Sequence, residues 1–127
     1  MSQQMVLADG TVLQLAVANG ERKWCEGAVR DVIEFQMVAG SITLEELDLA
    51  TADLHSLVSF SLSYENEWYL YERYVMRIAI DTKVVDVTDM ETGEIIGQET
   101  RHYIILAQVT EQELEELLNP QEPNPAL

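Results

Sequence analysis

The chain carries one cysteine, Cys25, among 127 residues. One thiol cannot close an internal disulfide, and no paired C-x-x-C spacing exists. Neither a secreted disulfide scaffold nor a zinc module is indicated, and a reducing compartment is expected. Basic residues are scarce as well: 7 Lys+Arg stand against 23 Asp+Glu, a formal net charge of -16. A surface of that sign repels phosphate backbones and anionic lipids, so no direct nucleic-acid contact and no membrane contact are expected. There is no long uncharged apolar run, and Met1-Ser2-Gln3-Gln4 lacks a basic region followed by an apolar stretch. Neither a membrane span nor an export signal is expected. No Gly-rich phosphate loop follows a strand pattern, and no internal repeat is visible.

What is present suits one domain. With 47% hydrophobic residues, a chain of this size buries roughly two thirds of the surface its unfolded form exposes, enough to fold without a disulfide or structural metal. One globular domain over 1–118 and a Pro-rich polar tail over 119–127, with Pro120, Pro123 and Pro125, are expected. The acidity serves solubility, complements a basic protein surface, or imitates DNA phosphates to block a nucleic-acid-binding protein. The carboxylates are spread as on a solvated surface and concentrate only late, at Glu111, Glu113, Glu115, Glu116 and Glu122, with no Lys or Arg after Arg101.

Periodicity supplies the elements. Asp9-Gly10 lies between Met5–Ala8 and Thr11–Val17, and Asn19-Gly20 repeats the device before Glu21–Cys25, which predicts two tight hairpin turns and three strands. In Val32–Met37, Ile33, Phe35 and Met37 alternate with Glu34 and Gln36, the mark of a half-buried strand. Gly40 ends it, and Thr43-Leu44-Glu45-Glu46 has the form of a capping box opening a helix over about 44 to 54, with Leu44, Leu47 and Leu54 on one face. Val58, Phe60, Leu62 and Tyr64 alternate with Ser59, Ser61 and Ser63, which predicts a strand with one wet face. Glu65-Asn66-Glu67 reads as a turn. Trp68–Ile80 then reads as a long strand with Tyr74, Met76, Ile78 and Ile80 on one side and Arg73 and Arg77 on the other. Val84–Val87 and Ile95–Val109 supply further strands across a loop in which Gly93 takes the left-handed position. A second capping box, Thr110-Glu111-Gln112-Glu113, opens a short helix carrying Leu114, Leu117 and Leu118. The order implies an α+β fold: a mostly antiparallel β roll or barrel-like sheet with two short helices.

No set of nucleophile, base and orienting group assembles from these residues, so no enzyme is expected. Cys25 adjoins Trp24 in a strand with no histidine near it in sequence, which favours packing over nucleophilic work. His55 and His102 stand alone, without the spacing of a metal site. Asp86, Asp89, Glu91 and Glu94 cluster at a turn, but the glycine is at the wrong offset for a calcium loop and a solvated hairpin is the simpler reading. Glu45/Glu46 and Glu115/Glu116 sit on helix turns, where carboxylates serve the macrodipole. No metal and no cofactor is expected. Trp68-Tyr69-Leu70-Tyr71 is the aromatic cluster. Aromatics fill strands and also anchor interfaces, and Trp68, Tyr69 and Tyr71 are the candidate interface residues.

Three segments, Leu7-Ala8-Asp9-Gly10-Thr11, Gly27–Phe35 and Tyr74–Ile78, resemble landmarks of a family of small acidic proteins encoded in tail modules of phages and prophages of Gram-positive bacteria. The likeness spans about Met5 to Leu118 and brings no cofactor pattern. It implies a non-enzymatic structural or assembly role in the tail, with other phage tail proteins as partners, in the bacterial host cytoplasm during assembly and with the virion as a further destination. The acidity suggests an alternative, a phage-encoded inhibitor of a basic host protein by DNA mimicry or anti-defence action. Exposed strand edges leave room for a homo-oligomer. Arg30 and Asp31, inside the second landmark, read as a local ion pair fixing the bend before Val32.

Overall fold

Backbone groups of an edge strand need partners, and this chain supplies nearly all of them by closing its sheet on itself. The computed structural model describes residues 3–119. Its elements are β1 (Gln4–Val6), β2 (Val12–Cys25), β3 (Ala28–Met37), α1 (Leu44–Thr51), β4 (His55–Tyr64), β5 (Glu67–Thr88), β6 (Ile95–Gln108) and α2 (Glu111–Leu118). The strands form a closed barrel in the order β1-β2-β3-β6-β5-β4, and every pairing is antiparallel. The fold is thus α+β, a mostly antiparallel, closed but uneven sheet with two short helices, as expected. Pro120, Pro123, Pro125 and Glu122 of the tail lie outside the described residues.

The turns follow backbone chemistry with one correction. At Asp9-Gly10 the chain reverses as expected: Gly10 has φ +90°, Gly10 N–H donates to Leu7 O, and the Asp9 carboxylate accepts from Thr11 N at 2.9 Å. Asn19-Gly20, by contrast, makes no turn. Both residues lie inside β2, opposite Glu34 and Ile33 of β3, and Glu21–Cys25 continues β2 instead of starting a new strand. The reversal comes at Glu26-Gly27, with φ +49° and +81°, so both central residues take the left-handed values of a two-residue hairpin. Glu65 and Asn66, with φ +49° and +65°, repeat that geometry between β4 and β5. Gly93, φ +74°, donates to Asp89 O in the loop joining β5 to β6.

Inward faces build the core. Phe35 and Met37 of β3 and Val58 and Phe60 of β4 are buried as their alternation predicts. On β4 the wet face is not uniform, since Ser61 is buried and accepts from Gln4 N. β5 departs further. Trp68–Ile80 and Val84–Val87 form one 22-residue strand, and Tyr71 and Val75, not Tyr74 and Met76, share the core side. A register shift between Arg77 and Ala79 switches the parity, so Ile80 rejoins the core.

The barrel has unlike ends. α1 opens on its capping box, with Glu46 N donating to Thr43 Oγ1 at 3.1 Å, and stops at Thr51, short of position 54. It joins the end of β3 to the start of β4 and drives Leu47 fully into the core cluster that also holds Met5 and Leu7, so it plugs that end. Thr51 is the second buried helix residue, while Leu44 is exposed and Leu54 packs on the core from beyond the helix. Arg77 ties α1 down with a 2.6 Å bond to Asp48. At the other end β6 stops at Gln108, and α2 follows on the capping box Thr110–Glu113.

Candidate interaction site

β2 and β4 both run antiparallel to the short β1, so the β2–β3 and β4–β5 hairpins project from the same end of the barrel. Between these two arms lies a cavity of about 430 Å³. Phe35, Phe60, Val75 and Leu106 form its apolar floor, while Arg22, Asp31 and Arg73 stand at its rim. The floor is aromatic by construction: Phe60 packs edge-on against Phe35 at 5.2 Å and stacks on Tyr71 at 4.9 Å. Arg22 is paired with Asp31 across β2–β3 at 3.2 Å. Arg73 has no carboxylate within ion-pair distance among the described residues and lies 5.3 Å above the Tyr71 ring instead. Gly20 lines this mouth as well.

A second opening, about 390 Å³, adjoins the first and shares Ala18, Leu62 and Tyr71 with it. It lies between β2 and β4, beyond Gln4, the first residue of β1 among the described residues. The Gln3 side chain spans it: its amide nitrogen donates to Ala16 O at 2.9 Å, and its amide oxygen accepts from Ser63 N at 2.9 Å.

The opposite end carries a protruding arm. Pairing of β6 with β3 covers Tyr103 to Ala107, and pairing of β5 with β4 stops at Met76, so Thr82–Thr88 and Ile95–His102 pair only with each other. Val84, Ile95 and Ile96 on this arm are 60%, 64% and 65% exposed, and Met90 at its tip is fully so. Position along the chain gives no sign of this exposure, because each strand reads as an ordinary apolar run.

The expected interface residues do not form one patch. Alternation along β5 puts Tyr69 and Tyr71 on the inward face and Trp68 on the outward one. Tyr71 is part of the cavity wall, Tyr69 lines the adjoining opening and donates to Glu67 at 2.9 Å, and Trp68 pairs with Ser63 outside. The Glu67 carboxylate beside it raises the Tyr69 hydroxyl above its ordinary value.

Arg30 and Asp31 also separate, because neighbours on a strand face opposite sides. Asp31 faces the mouth with Arg22, whereas Arg30 is buried, bonds to Cys25 O and Glu26 O at 2.7 Å each, and pairs with Glu113 of α2. Its Nη1 also reaches Gln108 O at 3.3 Å. The Arg30 hydrogen bonds, aided by Thr110 N–H, pull the Glu113 carboxyl down to about 2.

Cys25 is a half-buried free thiol at the end of β2, and His102 Nδ1 sits 3.0 Å from Thr82 Oγ1 within the β5–β6 ladder. His55, in contrast, is exposed at the start of β4. Asp89 spends its carboxylate on Glu91 N at 2.8 Å inside the β5–β6 loop. Among the described residues no group of three or more His, Cys, Asp or Glu is placed to hold a metal ion, and no helix is long and apolar enough to cross a membrane. Compared with models of known families, with curated proteins and with solved structures, the chain has no match.

Proposed function

We propose that this chain is a non-enzymatic structural or assembly protein of a phage or prophage tail, acting through protein–protein contacts. One observation carries the contact role: the β5–β6 arm holds out Val84, Ile95 and Ile96 on the strand stretches Thr82–Thr88 and Ile95–His102, which pair only with each other, and Met90 in the loop that joins them. A two-stranded ribbon is marginal in water by itself, and exposed apolar side chains carried on one mark a surface that a partner covers. The tail assignment rests on the likeness of Leu7–Thr11, Gly27–Phe35 and Tyr74–Ile78 to the tail-module family. Other tail proteins are the partners on this reading, and the bacterial cytoplasm is the place of assembly.

Mass spectrometry of purified virions from the source phage or induced prophage, with copy number per particle, tests the role. A fixed copy number is expected, together with loss of particle assembly when Val84, Ile95 and Ile96 are replaced by serine. Absence from virions combined with normal assembly by that variant overturns the reading and leaves a host-directed inhibitor.

A further inference from the structure

Between the two arms the core is left unfinished. Phe35, Phe60, Val75 and Leu106 are buried at the floor of the cavity of about 430 Å³. Ala18, Ile33, Leu62 and Tyr71 pack against the same core but stay half-buried, and they line the cavity walls. The volume falls within the roughly 300–1,000 Å³ of sites that hold small molecules. Among the described residues no buried side-chain nitrogen or oxygen lacks a partner, so the floor asks a ligand for no hydrogen bond. The part of a ligand that enters is therefore apolar.

The rim sets the charge of the ligand's other end. Glu21, Arg22, Asp31 and Arg73 are the charged residues lining the cavity. Arg22 is neutralised by Asp31 at 3.2 Å, and Glu21 by Lys23 at 2.8 Å. Arg73 is left with no carboxylate in ion-pair distance among the described residues. Its Nη1 donates to Glu72 O at 2.8 Å, and its guanidinium lies 5.3 Å above the ring of Tyr71, a wall residue. An uncompensated cation thus stands at the mouth of an apolar cavity in a chain of formal net charge -16. Exposed charges more than about 8 Å away are largely screened at physiological salt, so a group seated at the rim senses Arg73 before the distant carboxylates. We infer that the cavity binds a small apolar carboxylate, with its acyl or aryl body against Phe35, Phe60 and Tyr71 and its carboxylate at Arg73. Burial of the body supplies most of the affinity, and the exposed Arg73 supplies the preference for an anion. The inference goes beyond the tail role, which rests on the β5–β6 arm at the other end of the barrel, and neither depends on the other.

Titration of the full chain with hexanoate, octanoate, octylamine and octanol, read by calorimetry and by amide chemical shifts, tests this. Octanoate is expected to saturate a single site, with shifts at the lining residues Ile33, Phe35, Phe60 and Tyr71. It should bind about fifteenfold tighter than hexanoate, because each buried methylene is worth about fourfold. Octylamine, which the overall charge attracts and Arg73 repels, should bind about threefold or more weaker than octanoate. Arg73→Gln is expected to weaken octanoate about threefold, the size of an exposed ion pair, and to leave octanol unchanged. The proposal is overturned by an absence of saturable octanoate binding, by octylamine binding as tightly as octanoate, or by shifts confined to the β5–β6 arm. Equal losses of octanoate and octanol in Arg73→Gln overturn it as well. The ligand comparison uses the unaltered protein and decides the matter even where Arg73→Gln does not fold.

Discussion

Arg30 and Glu113 are 83 positions apart in the chain, yet both terminal nitrogens of the buried guanidinium donate to that one carboxylate. The same arginine holds carbonyls of the β2–β3 turn and the last residue of β6, so all its donors are used. α2 is therefore fastened to the barrel by a polar staple, and none of its side chains is fully buried. Glu113 serves twice, because it also accepts from Thr110 N in the capping box at 2.8 Å.

Acid should loosen this staple. The folded carboxyl sits at about 2 against an ordinary 4.5, so its contribution is fully present above the unfolded value and is lost as pH falls through the folded one. With the side chain 36% exposed, the contribution is about 1–2 kcal/mol, full above about pH 5 and lost as pH falls through about 2. Glu113→Gln is expected to be less stable than the parent by that amount at neutral pH and to converge with it in acid. Urea unfolding of both proteins across this range measures the difference.

Leu47 is the plug of the closed end. Leu47→Ala leaves a cavity under α1 and is expected to cost about 2–5 kcal/mol in urea unfolding. Leu49, on the same helix but 75% exposed, should change by no more than about 0.5 kcal/mol when replaced by alanine.

Gly27→Ala and Gly20→Ala discriminate the two candidate turns. At φ +81° an added Cβ strains the Glu26-Gly27 turn, for about 1–2 kcal/mol. At Gly20 it meets Ile33 at an ordinary 3.7 Å, so the change should stay within about 0.5 kcal/mol. The reverse ranking in thermal or urea unfolding would move the hairpin turn back to Asn19-Gly20.

The Gln3 bridge has its own signature. Gln3→Leu keeps the bulk and removes both bonds, with an expected loss of about 1 kcal/mol and faster amide exchange at Ser63. Unchanged exchange at Ser63 would show that the side-chain amide does not hold β4.

Local chemistry was the legible part of this fold. The hydroxyl and glutamate of each capping box lie within four residues, and the alternation of Val58 and Phe60 with serine marks the inward face of β4 without reference to anything else. Asn19-Gly20 carries the same kind of local signal, but burial of Phe35 and pairing along β3 keep it inside a strand. On β5 the sequence pattern favours Tyr74, Met76 and Ile78, and the register shift near Ile78 that reverses the parity leaves no mark in composition. Trp68 and Tyr69 adjoin in the sequence and separate across the sheet for the same geometric reason as Arg30 and Asp31. The mouth, the Gln3 bridge and the Arg30 staple join residues from distant strands. Such contacts follow from closure of the barrel, which periodicity does not encode.

β5 also has a mechanical meaning. It is one unbroken strand of 22 residues, roughly 70 Å of extended backbone before curvature, paired with β4 over its first half and β6 over its second. Tension applied at the β5–β6 tip with the barrel held pulls β5 lengthwise against β4 and β6 lengthwise against β3. The rungs of both ladders then bear load together in shear, rather than opening one at a time as in a peeled ribbon. Pull applied to the protruding arm would pass directly into the barrel wall.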